Sequence, residues 1–292
     1  MGRSAQRVGR TVGDRLGEMF EVGNKLMNSE GILRSLRGQL TAERRRKLRR
    51  FVNTRFRGLE TVASRLIGSN LGLLSMINGS DKNTGHQYTQ HYARHFAAYR
   101  NKPVKLLEIG IGGFEPDRGY SDPALGGGSM RMWRTYFPRG RIYGLDIFDK
   151  SPHNERRIKT FQGSQADTEF LRVVLEQTGS LDIIIDDGSH RCDHVITSFE
   201  YLFPQMSAQG VYAIEDVQTS YLEDYGGSDE DPDRSDTTMG YFKRFVHGVN
   251  YEERRSRTEP PTYFEKNILG ISFYHNLIII DKGPNAEGRS SS

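Results

Sequence analysis

Cysteine is almost absent from this 292-residue chain, which contains only Cys192. A single cysteine excludes an internal disulfide and a zinc site built from several thiolates, and it is typical of a reducing compartment. The chain also lacks the ~18 consecutive apolar residues that a membrane span requires. Its amino terminus, MGRSAQRVGRTVGDRL, lacks the apolar core of a signal peptide. With 35% hydrophobic and 27% charged residues, the composition predicts a soluble, cytoplasmic protein.

Acidic residues are scarce at the start of the chain. Residues 1–60 contain 15 Lys and Arg but 6 Asp and Glu, a net charge of +9, whereas the whole chain carries +4. The densest part, TAERRRKLRRFVNTRFRGLE (41–60), could bind nucleic acid or an acidic membrane by releasing counterions from phosphates. We favour the alternative, a solvated helix face with an apolar stripe, because charge runs are usually solvated surface. Residues 1–75 are therefore predicted to form a basic helical extension.

Strand-forming runs are rare before residue 104 and frequent after it. Apolar runs alternate with helical stretches, which predicts βα units and a parallel sheet. The predicted strands are 104–113, 141–147, 157–163, 181–187 and 210–216, and the main predicted helices are 129–137, 167–179 and 190–206. Residues 270–283 predict a terminal antiparallel hairpin with its turn at His275 and Asn276. This order resembles the Rossmann-like, seven-stranded α/β fold of class I S-adenosylmethionine (SAM) methyltransferases, which we expect over residues 76–292.

The glycine-rich end of the first predicted strand, LLEIGIGG, lacks one element of a dinucleotide-binding fingerprint. Glu115 stands where the third glycine of G-x-G-x-x-G would fall, three residues after Gly112. Gly110 and Gly112 would let a ligand approach the backbone, although a structural turn would use the same glycines. The run E-x-G-x-G, followed by an acid at the end of the second strand, is similar to the SAM methyltransferase pattern. This resemblance implies that Glu108 lies near the methionine end of SAM and that Asp146 binds the ribose.

Three further polar residues are candidates for contact with SAM. Ser164 and Gln165, in FQGSQAD (161–167), follow the third strand, where the resemblance places the adenine; an ordinary turn and helix cap is the alternative. Ser129 ends a long loop, FEPDRGYSDPALGGGS, at the predicted start of a helix. Its hydroxyl and N–H could turn toward the SAM carboxylate, and a simple N-cap is compatible with that role.

Carboxylates follow two apolar runs that we expect to be neighbouring strands. Asp187 ends IIIDD, and Glu215 with Asp216 ends VYAIED. Neighbouring strands lie about 4.8 Å apart, so the three acids should converge at the ligand-binding edge of the sheet. Acids this close repel each other unless a cation lies among them, and oxygen ligands suit Mg²⁺ better than zinc. The alternative is that each acid caps a separate helix.

Two histidines follow the first of these acids. His190 lies three residues after Asp187 and should face the same crevice, where an imidazole is a competent general base near neutral pH. His194 completes an H-x-x-x-H pattern, which is one arrangement of zinc ligands. Because the glutamate of the H-E-x-x-H motif is missing, we interpret His194 as a packed helix residue.

Four segments together resemble one family. They are DKNTGHQYTQHYARHF (81–96), DDGSHRCDH (186–194), the IED ending at Asp216, and MGYFKRFVHGVNYEE (239–253). Over roughly residues 76–285 the chain looks like the metal-dependent sugar O-methyltransferases of macrolide biosynthesis, which act on mycinamicin and tylosin intermediates. The resemblance implies that Asp187, Glu215 and Asp216 bind Mg²⁺ and that His190 is the general base. Those enzymes carry a larger amino-terminal domain, so another saccharide acceptor is also compatible with the likeness.

The sequence therefore predicts a SAM- and Mg²⁺-dependent O-methyltransferase that methylates a sugar hydroxyl of a glycosylated natural product or saccharide. We expect a homo-oligomer without a membrane span. The alternative is a nucleic-acid-binding protein or RNA methyltransferase that uses the basic extension. We disfavour RNA because no aromatic platform accompanies the arginine cluster.

Overall fold

A computed structural model describes residues 68–83, 86–115, 120–121 and 125–288, with the backbone alone for residues 114, 115, 120 and 121. The prediction of a basic helical extension falls largely on residues outside these ranges, as do residues 116–119 and 122–124 of the long loop after the first strand.

The described segments alternate strands with helices. The strands are β1 (Lys105–Ile109), β2 (Phe114–Glu115), β3 (Tyr120–Ser121), β4 (Arg141–Asp146), β5 (Ile158–Gln162), β6 (Ile183–Asp186), β7 (Gly210–Glu215), β8 (Ile268–Tyr274) and β9 (Leu277–Lys282). The helices are α1 (Leu71–Asn78), α2 (Thr89–Phe96), α3 (Gly128–Tyr136), α4 (Thr168–Thr178), α5 (Cys192–Gln205), α6 (Thr238–Lys243), α7 (Phe245–Gly248) and α8 (Tyr263–Asn267). None of these helices is long and apolar enough to cross a membrane.

Seven strands form one sheet in the order β5-β4-β1-β6-β7-β9-β8, and β2 pairs with β3 in a separate ribbon. The strands from β5 to β7 are parallel, while β9 runs antiparallel to both β7 and β8. Ile109, Asp186 and Ile214 lie in register at the carboxyl ends of the three central strands. This is the predicted class I methyltransferase sheet with its terminal hairpin, and the prediction of the fold is confirmed.

Apolar side chains cover both faces of the sheet because the central strands are buried on both sides. Leu107 and Ile109 belong to the cluster that packs beneath α4 and α5, whereas Leu106 belongs to the cluster beneath α1, α2 and α3. This double burial explains why the strands appear in the sequence as continuous apolar runs. Their polar residues are confined to the strand ends, which positions them for the site.

Helix α1 belongs to the methyltransferase domain. Leu71 and Leu74 are buried in the same cluster as Leu106, and the Asn70 side chain accepts a hydrogen bond from the backbone N–H of Leu73 at 3.0 Å as the helix N-cap. The boundary that we placed between residues 75 and 76 falls inside this helix. An eight-residue helix gives only a weak periodic signal, which is why the sequence did not reveal it.

Candidate active site

The acids at the ends of β6 and β7 lie at one edge of the sheet, as their strand positions predict. Asp187, His190 and Asp216 each offer a ligand atom, and these atoms all lie within 4.8 Å of one another. His190 Nε2 is 3.8 Å from Asp216 Oδ2. All three side chains are partly exposed, so a small ion or an acceptor hydroxyl can reach them from solvent. Two carboxylates and an imidazole at this spacing fit a divalent cation.

Backbone strain is concentrated at this cluster. His190 and Asp216 have φ angles of 58° and 54°, in the left-handed region that non-glycine residues rarely adopt. Gln87, with a φ angle of 57°, lies between the two residues that contact Asp216, and Asn276, with a φ angle of 59°, accepts a hydrogen bond from the Val217 N–H. Each such residue costs on the order of 1–3 kcal/mol, and such costs persist mainly at functional sites. The Thr219 hydroxyl lies 2.9 Å from the carbonyl oxygens of both His190 and Asp216 and connects the two strained turns.

Asp216 is held by the segment before β1. The Tyr88 hydroxyl donates to Asp216 Oδ1 at 2.8 Å and lies 3.0 Å from the Asn276 carbonyl oxygen. His86 Nδ1 is 3.4 Å from the same carboxylate oxygen. Burial and the hydrogen bond to Asp216 raise the pKa of Tyr88 well above its ordinary value, so Tyr88 stays protonated as a donor. Asp216 therefore has a fixed orientation.

Glu215 lies deeper than Asp187 and Asp216 and is bound differently. Its side chain is 3% exposed, and its Oε1 accepts hydrogen bonds from Lys82 Nζ at 2.7 Å and from the Tyr92 hydroxyl at 2.6 Å. Burial raises the pKa of Glu215, and the neighbouring Asp187 raises it further. Burial alone would lower the pKa of Lys82, but Asp187, Glu215 and Glu108 outweigh it and raise that pKa.

Glu108 and Ser129 lie together next to this group. Glu108 is fully buried, and its Oε2 accepts a hydrogen bond from the Ser129 hydroxyl at 2.7 Å. The N-cap of α3 is Gly127, so Ser129 lies inside the first turn and is not the cap that we considered. Lys82 Nζ lies 3.2 Å from the other Glu108 oxygen. Glu108 thus connects the predicted cofactor residues to the acid cluster.

The two predicted glycines have different roles in the backbone. At Gly110, with a φ of +85°, an added Cβ would lie 1.9 Å from the Asp187 carbonyl oxygen. Gly110 therefore allows the loops after β1 and β6 to touch. The alternative that we considered, a glycine required by a structural turn, applies to Gly110. At Gly112, with a φ of +75°, the nearest atom of the described residues to an added Cβ is the Cα of Gly126, at 3.9 Å. Among the described residues, the space beside Gly112 is therefore not crowded.

Two further cofactor candidates, Asp146 and Ser164, form hydrogen bonds within their own turns or with a neighbouring one. Asp146 accepts backbone N–H bonds from Ile111 and Phe148, both at 2.9 Å, so it stabilises the glycine turn directly. The Ser164 hydroxyl accepts from the Ala166 N–H at 3.2 Å, which is the ordinary turn that we kept as an alternative.

Gln165 is turned into the protein. Its Nε2 lies 3.0 Å from both carboxylate oxygens of Asp186, and its Oε1 accepts from the Ser189 N–H at 2.8 Å. The side chain that we predicted to contact adenine is thus committed to the DDGSH loop. Asp186 also accepts from the Ser198 hydroxyl at 2.8 Å, and burial raises its pKa to about 6. This network fixes the loop that carries Asp187 and His190.

His194 does not join the cluster. Its Nδ1 lies 2.9 Å from the Ser189 hydroxyl, and within the described ranges the group that could hold a metal contains His190 without His194. The H-x-x-x-H pattern is therefore not a pair of ligands to a single ion.

Sequence reasoning missed the contribution of segment 81–96. The segment was part of the family likeness, but no role was assigned to any of its residues. Lys82, His86, Tyr88 and Tyr92 from it contact the acids. Tyr88 and Tyr92 lie four residues apart at the start of α2 and therefore point in one direction, which was the signal available in the sequence.

The chain is similar to several known O-methyltransferases. No family model matches the chain. The chain is 47% identical over 204 residues to mycinamicin VI 2''-O-methyltransferase of Micromonospora griseorubida, which covers 70% of this chain and 50% of that protein. It is 47% identical to demethylmacrocin O-methyltransferase of Streptomyces fradiae, with 70% of this chain and 50% of that protein covered.

A third relative and one solved structure agree with these two. The 8-demethyl-8-alpha-L-rhamnosyl tetracenomycin-C 2'-O-methyltransferase of Streptomyces olivaceus is 42% identical, over 73% of this chain and 54% of that protein. The MycE methyltransferase from the mycinamycin biosynthetic pathway, in complex with Mg and SAH, superimposes with a TM-score of 0.70 at 43% identity. That match covers 76% of this chain and 57% of the other.

The described region is thus a class I methyltransferase domain. Over this region its sequence and fold are similar to those of sugar O-methyltransferases, so the predicted resemblance is confirmed. The chain spans about half the length of the curated relatives that it matches.

Proposed function

We propose that this protein is a SAM- and Mg²⁺-dependent O-methyltransferase that methylates a sugar hydroxyl of a glycosylated natural product or saccharide. The observation that carries the proposal is the cluster of Asp187, His190 and Asp216 within 4.8 Å, at the ligand-binding edge of a domain 47% identical to mycinamicin VI 2''-O-methyltransferase. The cluster supplies oxygen ligands for a divalent ion and a base beside them.

The proposed metal ligands and the proposed cofactor ligands lie at different places in the sheet. Asp187 and Asp216, with Glu215 behind them, would hold Mg²⁺, and Asp146, Glu108 and the uncrowded space beside Gly112 would receive SAM. When bound, SAM supplies the methyl group and Mg²⁺ lowers the pKa of the acceptor hydroxyl. Glu108 lies on β1, which neighbours β6, and Asp146 lies on β4, one strand further away, which supports a cofactor site beside the acids. This arrangement supports direct transfer by proximity.

His190 would accept the proton from the acceptor hydroxyl. Its ring is about a quarter exposed and lies 3.8 Å from Asp216, so it can reach an acceptor while a carboxylate stabilises the charge that it gains. The left-handed backbone of His190 and the hydrogen bond from Thr219 to its carbonyl oxygen fix the position from which the imidazole side chain extends. A positioned base of this kind contributes roughly 10²–10⁴-fold to a rate.

Three finer features complete the proposal. The protein would act in the cytoplasm, assemble as a homo-oligomer, and use its basic amino-terminal residues for assembly or surface attachment. The single cysteine supports a reducing compartment, and the basic charge of residues 1–60 supports attachment to an acidic surface. No observation on residues 68–288 favours the alternative of nucleic-acid binding, and the arginine-rich segment that suggested it lies outside the described ranges.

Methyl transfer from labelled SAM to a panel of glycosides, with RNA as a parallel substrate, would test the proposed function. Each reaction is run with Mg²⁺ and again with a chelator. We expect label in at least one glycoside, only when the ion is present. Transfer to RNA, or transfer to a glycoside that survives chelation, would contradict the proposal.

A further inference from the structure

Lys82 carries an ammonium group that is buried among acids from three different strands. Its side chain is 1% exposed, and Nζ lies 2.7 Å from Glu215, 2.9 Å from Asp187 and 3.2 Å from Glu108. Lysine is rarely buried completely, because removing its charge from water is costly unless partners compensate it. Three carboxylates converging on one ammonium provide that compensation.

The backbone around Lys82 is fixed as well as its side chain. The Lys82 carbonyl oxygen accepts from the N–H groups of Tyr88 at 2.8 Å and Thr89 at 3.3 Å, which ties the segment to the start of α2. From α2, Tyr92 donates to the Glu215 oxygen that Lys82 also contacts. The ammonium is therefore held in position and does not sample the surface.

The contacts of Lys82 overlap with the proposed metal site. Asp187 and Glu215 are two of its three predicted acids, while the third, Asp216, contacts Tyr88 and His86. Three carboxylates contact the one ammonium and Asp216 lies beside them, so the acids outnumber Lys82 and can still attract a cation. A fixed positive charge beside these acids must also oppose a second cation that binds them.

We propose that Lys82 is a tethered cation that stands in for part of the charge of the divalent ion in the metal-free protein. It keeps Asp187 and Glu215 together before the ion binds, and it weakens the affinity for the ion in return. This inference rests on the proposed function, because it concerns the same metal site. Lys82 is a positioning residue in this account and does not contact the reacting atoms.

The test measures ion binding instead of turnover. Lys82→Met, purified in Mg²⁺ and then stripped of it, is titrated with Mn²⁺ and followed by electron paramagnetic resonance. We expect Mn²⁺ to bind at least ~10-fold more tightly than to the wild type, since a unit charge a few ångströms away contributes more than 1 kcal/mol. The melting temperature should fall without metal, and metal should raise it more than in the wild type.

Two variants serve as controls. Lys282→Met removes another buried lysine, whose Nζ bonds to the carbonyl oxygens of Phe203 and Met206 at 2.7 and 3.0 Å, away from the acids. It should lower the melting temperature and leave Mn²⁺ affinity unchanged. Lys82→Arg keeps the charge and should stay within about threefold of the wild-type affinity.

Equal or weaker Mn²⁺ binding by folded Lys82→Met would overturn the inference. If that variant does not fold even in Mg²⁺, Lys82→Gln is read in the same way, since its amide can still donate to Asp187 and Glu215. A wild-type protein that binds no Mn²⁺ would contradict the proposed metal dependence itself. The two failures are therefore distinguishable.

Discussion

The hydroxyl of Thr219 bonds to the two turns that carry the proposed base and one metal acid. Valine has the same shape as threonine, with a methyl group in place of the hydroxyl. It therefore fills the same space but cannot donate to the carbonyl oxygens of His190 or Asp216. Because both residues hold unfavourable φ angles, the loss of this donor should let their side chains move away from the productive geometry. The substitution would change the positions of the His190 and Asp216 side chains without removing either of them.

We therefore expect Thr219→Val to lower kcat ~10-fold or more, whereas Thr219→Ser retains most of it. Binding of S-adenosylhomocysteine (SAH), measured by calorimetry, should be unchanged in both variants because Thr219 contacts none of the predicted cofactor residues. Wild-type turnover in Thr219→Val, or equal losses in both variants, would contradict the role of the hydroxyl.

His190 and Asp187 should fail in different ways. His190→Ala is expected to lose ~10²–10⁴-fold in turnover while keeping Mn²⁺ and SAH affinity. Asp187→Asn should lose metal affinity and activity together, since a neutral amide replaces a charged ligand. His194→Ala, one helical turn from His190, is the matched control and should stay active. A collapse of Mn²⁺ affinity in His190→Ala would make His190 a metal ligand.

At the scale of elements, the start of α8 is stabilised by the carboxylate of Glu265. Glu265 accepts from Arg257 at 2.6 and 2.8 Å and from the Thr262 N–H at 2.7 Å, and it forms a capping box with Thr262. These bonds, chiefly the one from Arg257, lower the pKa of Glu265 to about 2. Because its folded pKa lies below its unfolded value, its stabilisation is complete above about pH 4.5 and is lost as the pH falls toward 2.

Glu265→Gln should therefore cost about 1–2 kcal/mol of unfolding free energy at pH 7, a figure reduced for solvent screening. Urea denaturation at several pH values should show the gap to wild type narrowing below pH ~4.5. Glu176→Gln on α4, whose carboxylate is 60% exposed beside Arg172, is the control and should leave stability unchanged. A gap independent of pH would exclude the charged form of Glu265 as its source.

The main strands and helices could be predicted because each carries its own signal. β6 and β7 are apolar on both faces and end in charge, and their bounds lie within about two residues of those predicted. The short helices α1 and α2 gave no comparable pattern. Lys82 could not be predicted from local sequence, because its partners Asp187 and Glu215 lie 105 and 133 residues away. The inward direction of the Gln165 side chain could not be predicted either, because a turn position does not reveal which way a side chain points.

At the scale of the whole molecule, the predicted cofactor and metal residues all lie between residues 108 and 216. A chain lacking residues 1–60 should therefore keep wild-type SAH affinity, because no cofactor candidate precedes Glu108. Calorimetry on the full-length and shortened chains would measure this. A folded shortened chain that no longer binds SAH would refute the prediction.

Contact between Gly110 and the Asp187 carbonyl has a consequence for how this protein can diversify. The loop after β1, where SAM is proposed to bind, and the loop that carries the acids are in direct backbone contact, with no room at Gly110 for even a methyl group. An adjustment in either loop is transmitted to the other, so inherited or engineered variation is tolerated poorly on both. We therefore expect new acceptors to be accommodated more readily by changes after β7 than by changes in these two loops.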